Sequence, residues 1–450
     1  MRNQSVSFRI GKVHAYLRAK IWYLCYHENG QRRRPRIGPD REAARQLAAQ
    51  VNAQLEVGAP AALSFEPIPI AQLRQRWLEH HELVLRSSVR TIQRYRTATD
   101  HLLRYLQLRP VRYASQFQAS HAEQFVRHLR SVKVSPNGHA HSAPRPLMDK
   151  GVRFVLECCR TLFNYAAKRR HLSPYAENPF SAMEIDRIPI EQVRPVELFT
   201  PTQERALLDA CDDWQLPLFV TLMLTGLRPG ELCHLLLPDD LDLTAAVLRV
   251  QNKPRLGWQV KTRNERVVPL LPVLVEVLRR HLNGRVCGPV FRRRCFREPL
   301  TTWGSSQSGW ERELERRVAA QEAETGFAVD RLCRLRVARR LWREAGALRE
   351  DRVRQEFMRL TLRIGLPTVT APKLLRHQFA TSLQEANVDP LIRNLLMGHA
   401  AAGERSAGHG LGMTAVYTHT RPETIRQQLE GALAGGVALA VAAEWLRRQE

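Results

Sequence analysis

The sequence predicts a mainly α-helical protein with small β-sheets, an α+β chain of several domains. Three observations carry this reading. At 450 residues the chain is long enough for three domains, each with a core of its own. Apolar residues recur at helical spacing through most of it. Strict alternation, the mark of strands, is confined to a stretch near the start and to a hairpin around Lys261–Leu270.

Taken in order, Val6, Phe8 and Ile10 alternate, as do Trp22, Leu24 and Tyr26, and Asn29-Gly30 supplies a hairpin turn. These strands predict a three-stranded sheet. Arg32, Arg33, Arg34 and Arg36 follow, and Asp40 is placed to cap a helix striped by Ala44, Leu47, Val51 and Leu55. The proline- and alanine-rich stretch Val57–Ile70 reads as a linker. Helices follow, one carrying Leu73 and Trp77, one Ile92, Tyr95, Ala98, Leu102 and Tyr105, and a long one Val155, Cys159, Leu162 and Ala166. Ser173–Glu197 reads as a second linker, and Thr200-Pro-Thr-Gln203 as a capping box opening the third region. The expected divisions are therefore 1–60, 64–175 and 196–430, with an apolar tail at 431–450.

Composition narrows the class. Sixty-nine Lys and Arg against 44 Asp and Glu leave a net charge of +25, which points to a polyanion, most simply nucleic acid. The eight cysteines are scattered without a CxxC pair, so no metal is expected, and the thiols read as small apolar groups in a reducing compartment. No apolar run follows Met1–Ser5, so no secretory signal is expected. The longest apolar run, Gly431–Leu446, is short and glycine-rich for a bilayer span. A cytoplasmic, nucleoid-associated protein without a membrane or small-molecule partner is the expectation.

Chemistry-bearing residues gather in the third region. In LTGLRPGEL, Arg228 sits in a turn before a helix that Pro229 opens and Glu231 enters. In VKTRNERVVPLL, Lys261 is expected on a strand that enters a polar turn and returns as Val267, Val268 and Leu270. In KLLRHQFATSLQEA, Lys373, Arg376, His377 and Ala380 share one helix face, and Leu375, Phe379, Leu383 and Ala386 the opposite, core face. Asp389-Pro390 then opens a helix with Leu391, Ile392, Leu395 and Leu396 at apolar spacing; Gly398 ends it, leaving His399 on a turn. TAVYTHT supplies Tyr417.

In this order the motifs TGLRPGEL, RVVPL, LRHQFAT, LLMGH and YTH resemble the tyrosine recombinase (phage integrase) family, over nearly the whole chain. The resemblance implies an arm-type DNA-binding domain at 1–60, a helical core-binding domain at 64–175 and a mixed α/β catalytic domain. It implies an enzyme that cuts and rejoins double-stranded DNA through a covalent 3′-phosphotyrosine, working as a homo-tetramer without a cofactor. Arg228, Lys261, Lys373, Arg376, His399 and Tyr417 match the catalytic positions. The residue types suit the reaction. Forked guanidiniums hold a phosphate bidentately. A tyrosine is the nucleophile, a histidine helps it ionise, and a lysine near the leaving 5′-oxygen serves as acid. Glu231 is read as a buttress. The tail is expected to dock Leu439, Val441 and Trp445 on a neighbouring protomer.

Two departures stand out. The family usually has histidine where Lys373 stands, and lysine, a poor base at neutral pH, suits a phosphate clamp better than a proton shuttle. His399 and Tyr417 are 18 residues apart, so Ala401–Met413, with His409, reads as an insertion. A further insertion, Arg312–Leu362, is arginine-rich and helical, either a contact to DNA or a subunit or a solvated amphipathic segment. Two rival readings stay open: a type IB topoisomerase-like enzyme, and a catalytically impaired DNA-binding descendant of a recombinase.

Overall fold

The alternation near the start of the chain builds, in the computed structural model, one antiparallel sheet with a helix across it. The residues described are 6–135, 142–173, 176–181, 183–190, 197–296, 302–399 and 420–448. The sheet runs β1 (Ser7–Ile10), β2 (Val13–Arg18), β3 (Ile21–Glu28), β4 (Gln31–Arg33), and β5 (Arg36–Gly38) also pairs with β3. It thus has two more strands than the three the alternation shows, because β4 and β5 are only three residues each and carry arginines instead of an apolar pattern. Asn29 and Gly30 turn the β3–β4 hairpin with φ of 51° and 76°, a left-handed pair suited to the right-handed twist of the strands. Asp40 accepts from the Glu42 N–H at 2.9 Å and caps α1 (Arg41–Glu56). Ala44, Ala48 and Val51 of α1 close a small core over Val13, Ala15, Trp22, Leu24 and Tyr26.

A second core joins four helices, α2 (Ile70–Glu79), α3 (Val89–Leu106), α4 (Ala119–Ser131) and α5 (Asp149–Lys168). Both stretches read as linkers are partly built into these cores. Ala61 and Leu63 are buried against the sheet, Ala61 N–H donates to buried Glu28 at 2.7 Å, and Arg170 past the end of α5 donates to the carbonyls of Pro60 and Ala61. Phe180 and Ile185 are buried with the helices, Phe180 stacking on Phe117. Proline and alanine spacing conceals such isolated apolar anchors. These elements form one compact unit, Met1–Arg194; the rest, Pro195–Glu450, forms another.

In the second unit the capping box at Thr200 and Gln203 is present and starts α6 (Pro201–Asp209). The central helix α7 (Gln215–Thr225) is buried at every position, as expected for an element packed on all sides. After it come α8 (Pro229–Leu232), a three-stranded antiparallel sheet and α9 (Pro272–Leu282). The insertion is not a loose solvated helix. Its α10 (Gln307–Thr325) and α11 (Arg331–Glu344) pair through Trp310, Leu314, Leu341 and Trp342 in a core of their own. The next helix, α12 (Glu350–Arg363), joins the main core through Val353, Phe357 and Leu360.

Among the described residues no single helix is long and apolar enough to cross a membrane, and no group of His, Cys, Asp and Glu side chains is placed to hold a metal ion. The cysteines are all free; three are buried and Cys295 is exposed, so burial describes only part of the set.

The tail has a seat on its own unit. The C-terminal helix Val437–Arg448 lies on α6, α7 and α9 of its own unit, with Val441 buried and Leu439 and Trp445 partly so. Arg205 holds Glu444 with two hydrogen bonds of 2.9 and 2.6 Å, and Trp445 Nε1 donates to Asp213 at 2.9 Å. Ending the chain at Glu430 removes Leu433, Val441 and Leu446 from that core. At about 1.5–3 kcal/mol each the loss rivals the stability of a typical domain. The truncated protein is expected to lose its cooperative thermal transition; a transition retained at the full-length temperature contradicts the cis seat.

Candidate active site

The site begins where α7 stops. Gly226 ends that helix at φ 61°, and a Cβ there would come 2.3 Å from the Phe379 ring, so only glycine fits both the left-handed turn and the close approach. The chain then turns into α8, and Glu231 reaches back from the third helical position to accept the Arg228 backbone N–H at 2.9 Å. Its carboxylate is only 2 % exposed.

Three guanidiniums converge on that carboxylate. Arg228 donates to Oε1 at 2.7 Å, Arg266 donates to both oxygens at 3.2 and 2.6 Å, and Arg376 lies 4.0 Å away. Burial pushes the Glu231 pKa up, but Arg266 and Arg228 more than offset it, so it sits below the ordinary carboxylate value. Arg266 also donates through Nε to the Leu396 carbonyl at 2.8 Å. Arg376, on α13 (Lys373–Glu385), donates to the Gly226 carbonyl at 2.5 Å and to the Met397 carbonyl. Burial, then Arg228, brings its pKa down to about 10, which leaves it charged at neutral pH.

Helix α14 (Pro390–Met397) is capped by Asp389 and ends at Gly398, φ 61°, where a Cβ would come 2.9 Å from the Arg266 guanidinium. Its apolar stripe is narrower than the spacing shows, with Leu395 49 % exposed and Met397 buried in its stead. On α13 the core face likewise stops at Leu383, since Ala386 is already outside the helix and exposed. His399 is exposed just beyond Gly398. Partial burial, then Arg376, Arg228 and Arg266, holds its pKa below 6.5.

Lys261 is not on a strand. The strand before it, β10 (Val247–Val250), ends well short, and Lys261 sits exposed in a turn of the loop that leads to β11 (Arg266–Pro269). The loop is still directed to the site, because Thr262 Oγ1 donates to the Gly398 carbonyl at 3.0 Å. Buried Lys253, paired with Asp240 at 2.7 Å, anchors its base. Lys373 is exposed on the first turn of α13, where its charge, after burial and with Arg376, lowers the pKa of His377. The structure thus joins Arg228 and Arg376 through Glu231, and brings His399 and the Lys261 turn alongside. Tyr417, His409 and the insertion Ala401–Met413 lie outside the described residues.

The phage integrase family model matches residues 197–423, just over half the chain. This chain belongs to the phage integrase family. The match spans all six candidate positions and leaves out the first unit and the C-terminal helix. Solved structures similar to this integrase family member include the Tn1549 transposon integrase with circular intermediate DNA. That structure is 17 % identical over 81 % of this chain and 99 % of its own, with a TM-score of 0.48. A lambda integrase dimer on a core site is 16 % identical over 86 % and 92 %, TM-score 0.47. A lambda integrase tetramer on a Holliday junction is 16 % identical over 87 % and 99 %, also at 0.47. No curated protein matches the chain.

Arg266 is the residue that sequence reasoning passed over. Val268 points inward and Val267 outward, so two-residue alternation puts Arg266 on the buried face. A charge at an inward position needs a buried counter-charge, and that was the available signal. Because Glu231 balances three guanidiniums, Glu231→Gln should cost about 3–5 kcal/mol, read as a lower urea midpoint of the full chain. Asp351→Asn, which removes an exposed pair with Arg349, should cost under about 1 kcal/mol. With its folded pKa depressed, the Glu231 contribution is complete above about pH 4.3, the unfolded value, and is lost as pH falls below it. Equal costs for the two variants would show that Glu231 is no hub.

Proposed function

We propose that this chain is a site-specific DNA recombinase that cuts and rejoins strands through a 3′-phosphotyrosine intermediate. The observation that carries this is the cluster of Arg228, Arg266 and Arg376 on one buried carboxylate, with His399 and the Lys261 turn beside it. The cluster is a preorganised cationic floor. Glu231 neutralises part of its charge and fixes its geometry, while Arg228, 24 % exposed, remains open to a ligand. Two of the five Arg376 N–H groups donate to carbonyls among the described residues.

In the proposed reaction Arg228 and Arg376 hold the non-bridging oxygens of the scissile phosphate, with Lys373 as a further clamp. The Tyr417 oxygen attacks phosphorus as its proton passes to His399. The bond to the 5′-oxygen breaks, and that oxygen takes a proton from Lys261. A 5′-hydroxyl of the same or another strand reverses the step, returning the proton to Tyr417. The open face of the first sheet supports a DNA-arm role. There His14, Tyr16 and Tyr23 stack in a row, Tyr16 and Tyr23 5.6 Å apart, beside exposed Arg9, Arg32 and Arg36. Strand exchange calls for four chains on paired sites, and the work is placed with the nucleoid.

Tyr417→Phe should bind a core-site duplex as tightly as the native chain yet form no denaturant-resistant protein–DNA adduct in gel electrophoresis. Adduct at the native level would remove Tyr417 as nucleophile. The rate of adduct formation should also report His399. Its depressed pKa keeps it neutral, and able to accept a proton, to below the ordinary imidazole value. The acid limb of the native profile is therefore expected below pH 6.5 and should vanish in His399→Asn. A limb centred above 6.5, or one that survives the substitution, would assign the proton to another group.

A further inference from the structure

At the far end of α7 from Gly226, roughly 16 Å along the helix axis, a cavity of about 450 Å³ opens beside Trp214 and Trp445. Five arginines line it: Arg280, Arg285, Arg292, Arg293 and Arg294. Asp213 is the one carboxylate among the described lining residues, and it already accepts from Trp445. Two of the arginines have acidic partners, Arg294 with Asp212 at 2.5 Å and Arg280 with Glu276 at 3.8 Å. The other three are in no ion pair among the described residues. Arg285 donates to the carbonyls of Pro289 and Val290, Arg293 to that of Arg343, and Arg292 to that of Cys287 at a long 3.5 Å.

Carbonyls satisfy N–H groups but do not neutralise charge, so the half-buried Arg285 and Arg292, with the exposed Arg293 beside them, have no counter-ion among the described residues. The Arg292 Nε is buried with no hydrogen-bond partner. Burial, followed by the charge of Arg292, lowers the Arg285 pKa to about 10. The cluster is rigidly held. The Trp214 indole N–H fixes the Arg292 carbonyl at 3.1 Å, Arg292 bridges to Ala347, and Arg293 N–H donates to the Gly346 carbonyl at 2.9 Å. None of this serves the catalytic cluster, which lies at the opposite end of the helix.

We propose that this cavity binds an oligophosphate anion, a free triphosphate chain or that of a nucleotide, at a site separate from DNA cleavage. Several phosphoryl groups in a row match three forked cations that are in no ion pair among the described residues, as a single small anion cannot. Arg294 lies over the Trp214 ring, and Arg292 and Arg293 lie over Phe296, so a base would stack with Trp445, the third aromatic of the lining. Since Trp445 belongs to the C-terminal helix, an occupant would also tie that helix down.

Titration calorimetry of the full chain at constant ionic strength, with sodium tripolyphosphate and separately with ATP, tests this. Saturable one-to-one binding is expected, weakened at least about tenfold by Arg292→Gln and by Arg280→Gln, whose side chain borders the solvent. Arg228→Gln, in the catalytic cluster, should change it by less than about twofold. Both cavity variants should keep the native rate of adduct formation on core-site DNA. Tighter binding of ATP assigns the site to nucleotides, and equal binding assigns it to the bare phosphate chain. Absence of saturable binding, insensitivity to both cavity variants, or loss in Arg228→Gln overturns the proposal.

Discussion

Much of the second unit is arranged around the problem of keeping one carboxylate charged where there is almost no water. Glu231 is tolerated in that position because Arg228 and Arg266 surround it with short charge-assisted hydrogen bonds and Arg376 stands near. The dependence runs both ways. Without the carboxylate, three guanidiniums would repel one another across the same small volume. With it, they form a preorganised floor whose net charge stays positive. The glycines at 226 and 398 are part of that arrangement, since each lets a backbone turn pass within contact distance of a cluster side chain or its packing partner.

The constraint also links elements far apart in sequence. Arg266 ties β11 to the end of α14 through the Leu396 carbonyl, and Arg376 ties α13 to the ends of α7 and α14. The turn bearing Lys261 reaches the same place through Thr262. An arginine here is therefore both a structural brace and a phosphate ligand in the proposed reaction. Its side chain can do both because a guanidinium has five donors in a fixed plane. Lysine at position 373 lacks that fork and stands outside the network, on the exposed first turn of α13.

Charge in this protein is distributed by function more than by solubility. Arginines on the first sheet face outward among aromatic rings, Arg316, Arg317, Arg334 and Arg340 of the α10–α11 pair are matched with Glu313, Glu315 and Glu344, and beside Trp214 Arg285, Arg292 and Arg293 are in no ion pair among the described residues. A net charge of +25 thus conceals three different electrostatic environments. The pairing inside the insertion explains why that stretch folds on itself despite its arginine content.

By itself the sequence determined the local features, since each depends on a few neighbouring residues. The Asn29-Gly30 hairpin, the Asp40 and Asp389 caps, the Thr200 capping box, the helix stripes and the stop at Gly398 follow from φ preferences and periodicity. It also displayed the motifs that resemble the integrase family, and the family match spans them. What only the tertiary structure decided concerns pairings across long separations. Arg266 was invisible as a cluster member because its counter-charge lies 35 residues earlier. Lys261 was misplaced onto a strand because β10 ends sooner than the apolar pattern suggests. Ala61, Phe180 and Ile185 turned linker-like stretches into parts of two cores, and the tail helix met apolar partners on α6, α7 and α9. Local propensity states what a segment can become. Which buried charge or apolar face it meets is set by packing, which no short window of sequence contains.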